Sequence, residues 1–188
     1  MITLLTAGPP AFTAEGVEPL DVYDIDALEP ACRLLLIGMH ADQVFLESRR
    51  EVLDAFLARG GTLVIGGHLL RQVFTGAPRW RRAESTAQAD LVVLGVHAHP
   101  VWEGVDPRDL SSRRGVSGFY GRGGYPDLPE GATIINRIQY MPVDVELRTG
   151  GGRVLLHGGN DLWTYRSEGN TAERLLPQLL RWGTEGWT

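Results

Sequence analysis

The apolar positions of this chain fall into two patterns. Short unbroken runs recur at Ile2–Thr6, Leu34–Met39, Thr62–Ile65, Leu91–Val96 and Arg153–His157. Runs of this length without alternation are expected of strands covered on both faces, as in a parallel sheet between helical layers. Over Gln43–Arg59 the spacing becomes helical, with Phe45, Leu46, Val52, Leu53, Phe56 and Leu57 on one face. Asp42 stands at the N-cap position, and Gly60 where the chain must turn left-handed to leave the helix. Strand, cap, helix, glycine and strand form a βαβ unit, expected to cross over right-handed. Val22–Ile25 predicts another short strand. Ala132–Ile138 and Val143–Leu147 predict a small antiparallel extension. Asn170 and Glu173 have capping-box spacing before Leu175, Leu176, Leu179 and Leu180, and Pro177 requires this last helix to start late or kink. The result is an α/β fold with a mainly parallel central sheet.

Composition narrows the options. At 188 residues, 43% hydrophobic and 22% charged, residues 1–188 read as one domain with room for a full core. No apolar run is long enough for a membrane span, and the first residues read as a strand rather than a leader, so a cytoplasmic location is expected. The net charge is −5 without a basic tract, which argues against nucleic acid and anionic membranes as partners. All 18 basic residues are arginine, as a GC-rich genome would produce. Cys32, the only cysteine, opens a buried strand, so disulfides and cysteine-based metal clusters within the chain are excluded.

The five histidines carry the candidate chemistry. His40, His68, His97, His99 and His157 each stand at or just past the end of an apolar run. Ligands of open parallel α/β sheets bind at the C-terminal strand edge. If the strands of His68 and His157 are neighbours, the two imidazoles could exchange protons with a substrate or ligate a metal; the alternative is that each only caps its strand. His97 and His99, two residues apart, could chelate a metal with His40 or His68, or His99 could fix the His-Pro turn. No cofactor is otherwise implied.

The stretch LLLIGMHADQ…VLDAFLARGGTLVIGGH from Leu34 to His68 resembles the core of the class I glutamine amidotransferase-like superfamily, and within it the ThuA-like (trehalose-utilisation) branch. HPVWEGV at His99–Val105 and GGGRVLLHGGNDLW at Gly150–Trp163 are similar to further segments of that branch. The resemblance implies a flavodoxin-like three-layer sandwich. It also implies a nucleophilic cysteine on the turn that here reads Gly66-Gly67-His68. With that cysteine missing, glutamine hydrolysis is not expected. His157 stands at the family's late histidine, and Asp161 is a displaced acid partner.

Three further groups remain. Asn160, Asp161 and Trp163 suit a sugar, with polar groups for hydroxyls and an indole for the ring face; an Asx-turn with a core tryptophan is the alternative. Arg113, Arg114, Tyr120 and Arg122 lie in the aperiodic stretch Asp106–Glu130, and could close as a lid over an anionic or polyhydroxy ligand or serve as surface charge. Trp80 and Trp187 are candidate contacts in a homo-oligomer, whereas Trp182 reads as core. The leading expectation is a ThuA-like protein binding a small polar ligand such as a carbohydrate, with its transformation left open. In it His68, His157 and Asp161 would be catalytic, while His40, His99, Asn160, Trp163, Tyr120 and Arg122 would bind the ligand. A non-catalytic assembly or sensing module and a histidine-liganded metal hydrolase are the alternatives.

Overall fold

A computed structural model describes residues 1–185. Its centre is an eight-stranded sheet. The strands are β1 (Ile2–Thr6), β2 (Val17–Asp21), β3 (Leu34–Ile37), β4 (Thr62–Gly66), β5 (Val93–Gly95), β6 (Thr133–Ile138), β7 (Met141–Thr149) and β8 (Gly152–His157). Across the sheet they run β2-β1-β3-β4-β8-β7-β6-β5. The first five in that order pair in parallel. The remaining pairings are antiparallel. Every side chain of β3 and β4 is buried, as their unbroken apolar runs require.

Helices cover both faces. On one face α1 (Gln43–Ser48) and α2 (Arg50–Ala58) bury Leu46, Leu53, Phe56 and Leu57. On the other, α4 (Leu175–Thr184) buries Leu175, Leu176, Leu179 and Trp182. The fold is therefore the expected α/β flavodoxin-like sandwich.

The local signals behave as their chemistry dictates, with corrections. Asp42 caps α1, its Oδ1 accepting from the amides of Val44 and Phe45 at 3.0 Å each. Gly60 adopts φ +88°, closing α2. The helix expected over Gln43–Arg59 is broken at Arg49 (φ −114°). There the Ser48 hydroxyl donates to Phe45 O at 2.6 Å and the turn tightens, since a serine hydroxyl competes for helical carbonyls. Val22–Ile25 is not a strand. It lies in the 3-10 turn Val22–Ala27, and the strand is the preceding Val17–Asp21 at the sheet edge. The last helix starts late: Asn170 caps the 3-10 turn Thr171–Arg174, and Pro177 falls in the first turn of α4. Glu173 bonds the amide of Gly169 rather than completing the box on Asn170.

The antiparallel half is larger than expected, because β5 belongs to it. Gly95 pairs with Asn136 and Val93 with Ile138, so β5 runs opposite to the parallel strands. The end of β5 consequently leads away from the rim.

The aperiodic stretch is a built strap rather than a loose lid. Asp106 caps α3 (Pro107–Ser111), Ser112–Arg113 pairs with Val116–Ser117, and Gly123–Gly124 pairs with Arg81–Arg82. Tyr120 and Tyr125 are buried within it. Gly124 crosses so close to β7 that a Cβ there would lie 1.9 Å from Pro142 O, which accounts for the glycine.

Candidate functional site

The five imidazoles do not share a hollow. The strands of His68 and His157 are neighbours, with Gly66 opposite His157, but the side chains part. His68 is exposed and stacks on Trp80 with ring centroids 3.7 Å apart. Burial against that indole lowers its pKa. His157 is fully buried on the face packed by Tyr120. His97 and His99 follow β5 down the sheet, because β5 is antiparallel. His97 bonds Ile134 O through Nδ1 at 2.7 Å. His99 accepts the Val101 amide on Nδ1 and caps the turn Pro100–Trp102, the structural role that the His-Pro step suggests. Its Nε2 faces Glu146 Oε2 at 3.3 Å, and the imidazole holds the Glu146 carboxyl below its usual pKa. Among the described residues no three His, Cys, Asp or Glu side chains are placed to hold a metal. The proton-exchanging pair His68–His157 and the His97–His99 chelate are therefore both corrected: one pair diverges across the sheet, and in the other each ring commits its Nδ1 to the backbone, with no third ligand placed beside it among the described residues.

What surrounds His157 is a buried polar network absent from the sequence reading. Asp144 is fully buried on β7. Its Oδ1 lies 2.6 Å from His157 Nδ1, and its Oδ2 accepts from the Tyr120 hydroxyl at 2.5 Å and from Asn136 Nδ2 at 2.8 Å. The Trp102 indole donates in turn to the Tyr120 hydroxyl at 2.8 Å. Burial and the Asp144 carboxylate push the Tyr120 phenol well above its usual range. A carboxylate only accepts, so His157 Nδ1 carries a proton. Its Nε2 is buried and has no partner among the described residues. It is closed off by Gly159, where a Cβ would come within 3.0 Å of Nε2 and 1.5 Å of Tyr120 O. Polar residues inside the apolar strands TIINRI and MPVDVEL were the available signal for this network.

The other site residues divide. Tyr120 is a core residue, not a lid. Arg113 is tied to Glu168 at 2.5 Å and packs over Phe119, so it does not reach a ligand. Arg122 is exposed. Asn160 donates to Phe119 O at 2.7 Å and pins the strap. Trp163 is 1% exposed and packs on Phe12, which removes it as an open sugar platform. Trp80 is half-buried and bonds Gly158 O through its indole N–H, rather than projecting as a contact surface. Trp182 is core, as expected, and Trp187 lies outside the described residues.

Asp161 and His40 do meet a cavity. The chain leaves β1 toward the face of α4, where Phe12 packs, and leaves β3 toward the face of α1. Strand order reverses between these two strands, and the diverging segments open a cleft of about 230 Å³. Thr6, Gly8, Gly38, His40, Asp161 and the margin of Trp163 line it. Asp161 Oδ1 accepts the Met39 amide at 2.7 Å. The carboxyl occupies the space of two missing side chains: a Cβ on Gly66 would lie 2.3 Å from Oδ1, and one on Gly38 3.0 Å from Oδ2. Burial raises its pKa to about 6, against the opposing pull of the Met39 amide and of the nearby His157 and His40 rings. Asp161 is thus a group that changes charge near neutral pH at the wall of a cleft. Cys32 is buried at the opposite end of β3, and burial pushes its thiol pKa up, so it is no nucleophile for this cleft.

No family model and no curated protein sequence matches the chain. Solved structures do resemble it. The N-terminal domain of mmIFT52 superposes with a TM-score of 0.55 at 12% identity, over 100% of this chain and 99% of that one. The cytoplasmic protein STM3548 from Salmonella typhimurium gives 0.48 at 14% identity, over 97% and 98%. Gan42B, a GH42 beta-galactosidase from G. stearothermophilus, gives 0.43 at 14%, over 85% of this chain and 27% of that one. No helix among the described residues is long and apolar enough to cross a membrane. At such identities the likeness to the mmIFT52 domain is one of fold alone.

Proposed function

We propose that this protein binds a small polar molecule, at most a single sugar ring, in the cleft between the C-terminal ends of β1 and β3. Asp161 is the recognising carboxylate and His40 its companion at the mouth. The observation that carries this reading is a nearly buried carboxyl on a cavity wall at the reversal of strand order. The cleft is smaller than the usual pocket for a drug-sized ligand, which limits the size of the occupant. Binding rather than turnover is favoured because the reactive nitrogen of His157 is sealed behind Gly159.

We read the scaffold as amidotransferase-like, of the ThuA-like kind, with its nucleophile lost. Gly67, on the turn after β4, adopts φ +87°, a conformation costly for any other residue. A Cβ there would meet Met39 Cβ at 2.6 Å, so the position of a nucleophile is sterically filled.

The test is a titration of isotopically labelled protein with D-glucose and D-galactose, followed by amide NMR at pH 5 and pH 8. Saturable shifts at Gly38, Met39 and Asp161 are expected. They should be stronger at pH 8, where Asp161 is an ionised acceptor for hydroxyls, and weakened in Asp161→Asn. Absence of saturable shifts at those residues with either sugar refutes the carbohydrate reading.

A second reading, assembly, is favoured by one observation. Leu94 on the edge strand β5 and the flanking Val92 and Val96 are each more than 40% exposed. Light scattering of wild type and Leu94→Lys decides it: a wild-type oligomer that the charge dissociates supports assembly, and a monomer in both removes it.

A further inference from the structure

A second hollow of the molecule lies away from the rim. A cavity of about 650 Å³ opens on the antiparallel flank, between the end of β5 and the segment from His99 to Leu110. That volume is typical of small-molecule pockets. Val105, Leu110 and Trp102 make much of its wall apolar.

The polar side chains that line it share one sense. Asn136 is 4% exposed and spends its Nδ2 on Asp144 Oδ2 at 2.8 Å. Because a carboxylate oxygen only accepts, the orientation of the amide is fixed. Its Oδ1 faces Gly95 and receives no hydrogen bond from the described residues. His97 Nδ1 lies 2.7 Å from Ile134 O, and a carbonyl also only accepts. That nitrogen therefore holds the proton, and Nε2 of the neutral ring is an acceptor. Glu103 adds a carboxylate. The Trp102 N–H is committed to Tyr120, and the free nitrogen of His99 is directed at Glu146. The side chains of this hollow thus offer acceptors, while the Trp102 and His99 donors are turned toward Tyr120 and Glu146 within the fold.

We propose that the hollow is a second ligand site, for a planar aromatic molecule bearing a ring N–H or amino donor. The ring packs against Trp102 and the apolar wall, and the donor bonds Asn136 Oδ1. A molecule lacking a donor leaves a buried amide oxygen unpaired, which is the basis of selectivity. This site is independent of the β1–β3 cleft, and each reports through different residues.

The probe is indole, titrated into the labelled full chain, with 1-methylindole as the same shape without the donor. Indole is expected to give saturable shifts at Gly95, the Asn136 side-chain amide and the Trp102 indole N–H. The methylated probe is expected to bind about tenfold more weakly, the worth of one buried hydrogen bond. Ala98 is exposed and lines the hollow, so Ala98→Trp should fill the space and abolish binding without touching the core. The proposal is overturned if indole produces no saturable shift up to its solubility, if 1-methylindole binds equally well, or if a folded Ala98→Trp variant binds indole like the wild type. Should that variant fail to fold, the two probes decide the matter alone.

Discussion

Replacing Asp161 by asparagine should stabilise the protein, and only above a defined pH. The carboxyl is 7% exposed, and its pKa rises from 3.8 in an open chain to about 6 in the fold. A shift of roughly two units corresponds to about 3 kcal/mol between its two protonation states. The sign follows from proton counts. Between pH 4 and pH 6 the folded state holds a proton that the unfolded chain has released, so wild-type stability falls as pH rises through that window. Above pH 6 the full cost of ionising a buried carboxyl is present; below pH 4 it is absent. Asparagine keeps the carbonyl oxygen that accepts the Met39 amide and has nothing to ionise. Urea unfolding of both proteins at half-unit steps from pH 4 to pH 8 isolates the effect, because every other titration cancels in the difference. The variant should be close to wild type at pH 4 and more stable by up to about 3 kcal/mol at pH 8. A difference that stays flat across the range, or a variant less stable at pH 8, would refute the account of Asp161 as a buried acid held against its preference.

Other consequences can be checked with less effort. Tyr120→Phe removes the hydroxyl between Trp102 and Asp144 and leaves two buried groups short of a partner, so a loss of about 1–3 kcal/mol is expected in urea unfolding. Gly159→Ala drives a Cβ to 1.5 Å from Tyr120 O, a backbone clash that should cost about 3 kcal/mol or more and show as a large drop in Tm. The Cys32 thiol, 2% exposed and with its pKa raised by burial, should stay unreactive toward a disulfide reagent at pH 8 in the native protein and react promptly in urea.

The parallel half of this fold was legible because its signals are local. LLLI and LVIG are apolar throughout, Asp42 caps within three residues of its partners, and Gly60 takes a positive φ that other residues rarely adopt. Strand direction is not local. LVVLGV reads the same upward or downward, and only its pairing with β6 decides, so two of the five histidines were expected at the wrong level of the sheet. The edge strand β2 was misplaced for a related reason: VEPLD carries Pro19 and faces solvent, leaving no apolar run to see. Asp161 and His40 were correctly brought to one rim, yet the feature that makes Asp161 unusual lies in Gly38 and Gly66, whose missing side chains create its berth. His157 was singled out, but its partner was not, because Asp144 and Asn136 look like ordinary polar positions until the register sets all three in a row.

The strap that threads Tyr120 beneath the sheet bears on any attempt to shorten the molecule. An engineer seeking a minimal scaffold would cut residues 112–130 first, since they hold little regular structure. Excision would strip the buried Asp144 carboxylate of its phenolic donor and Asn160 of its anchorage. Fusions and insertions belong instead at the turn of Gly150 and Gly151, where two adjacent glycines at positive φ already reverse the chain between β7 and β8.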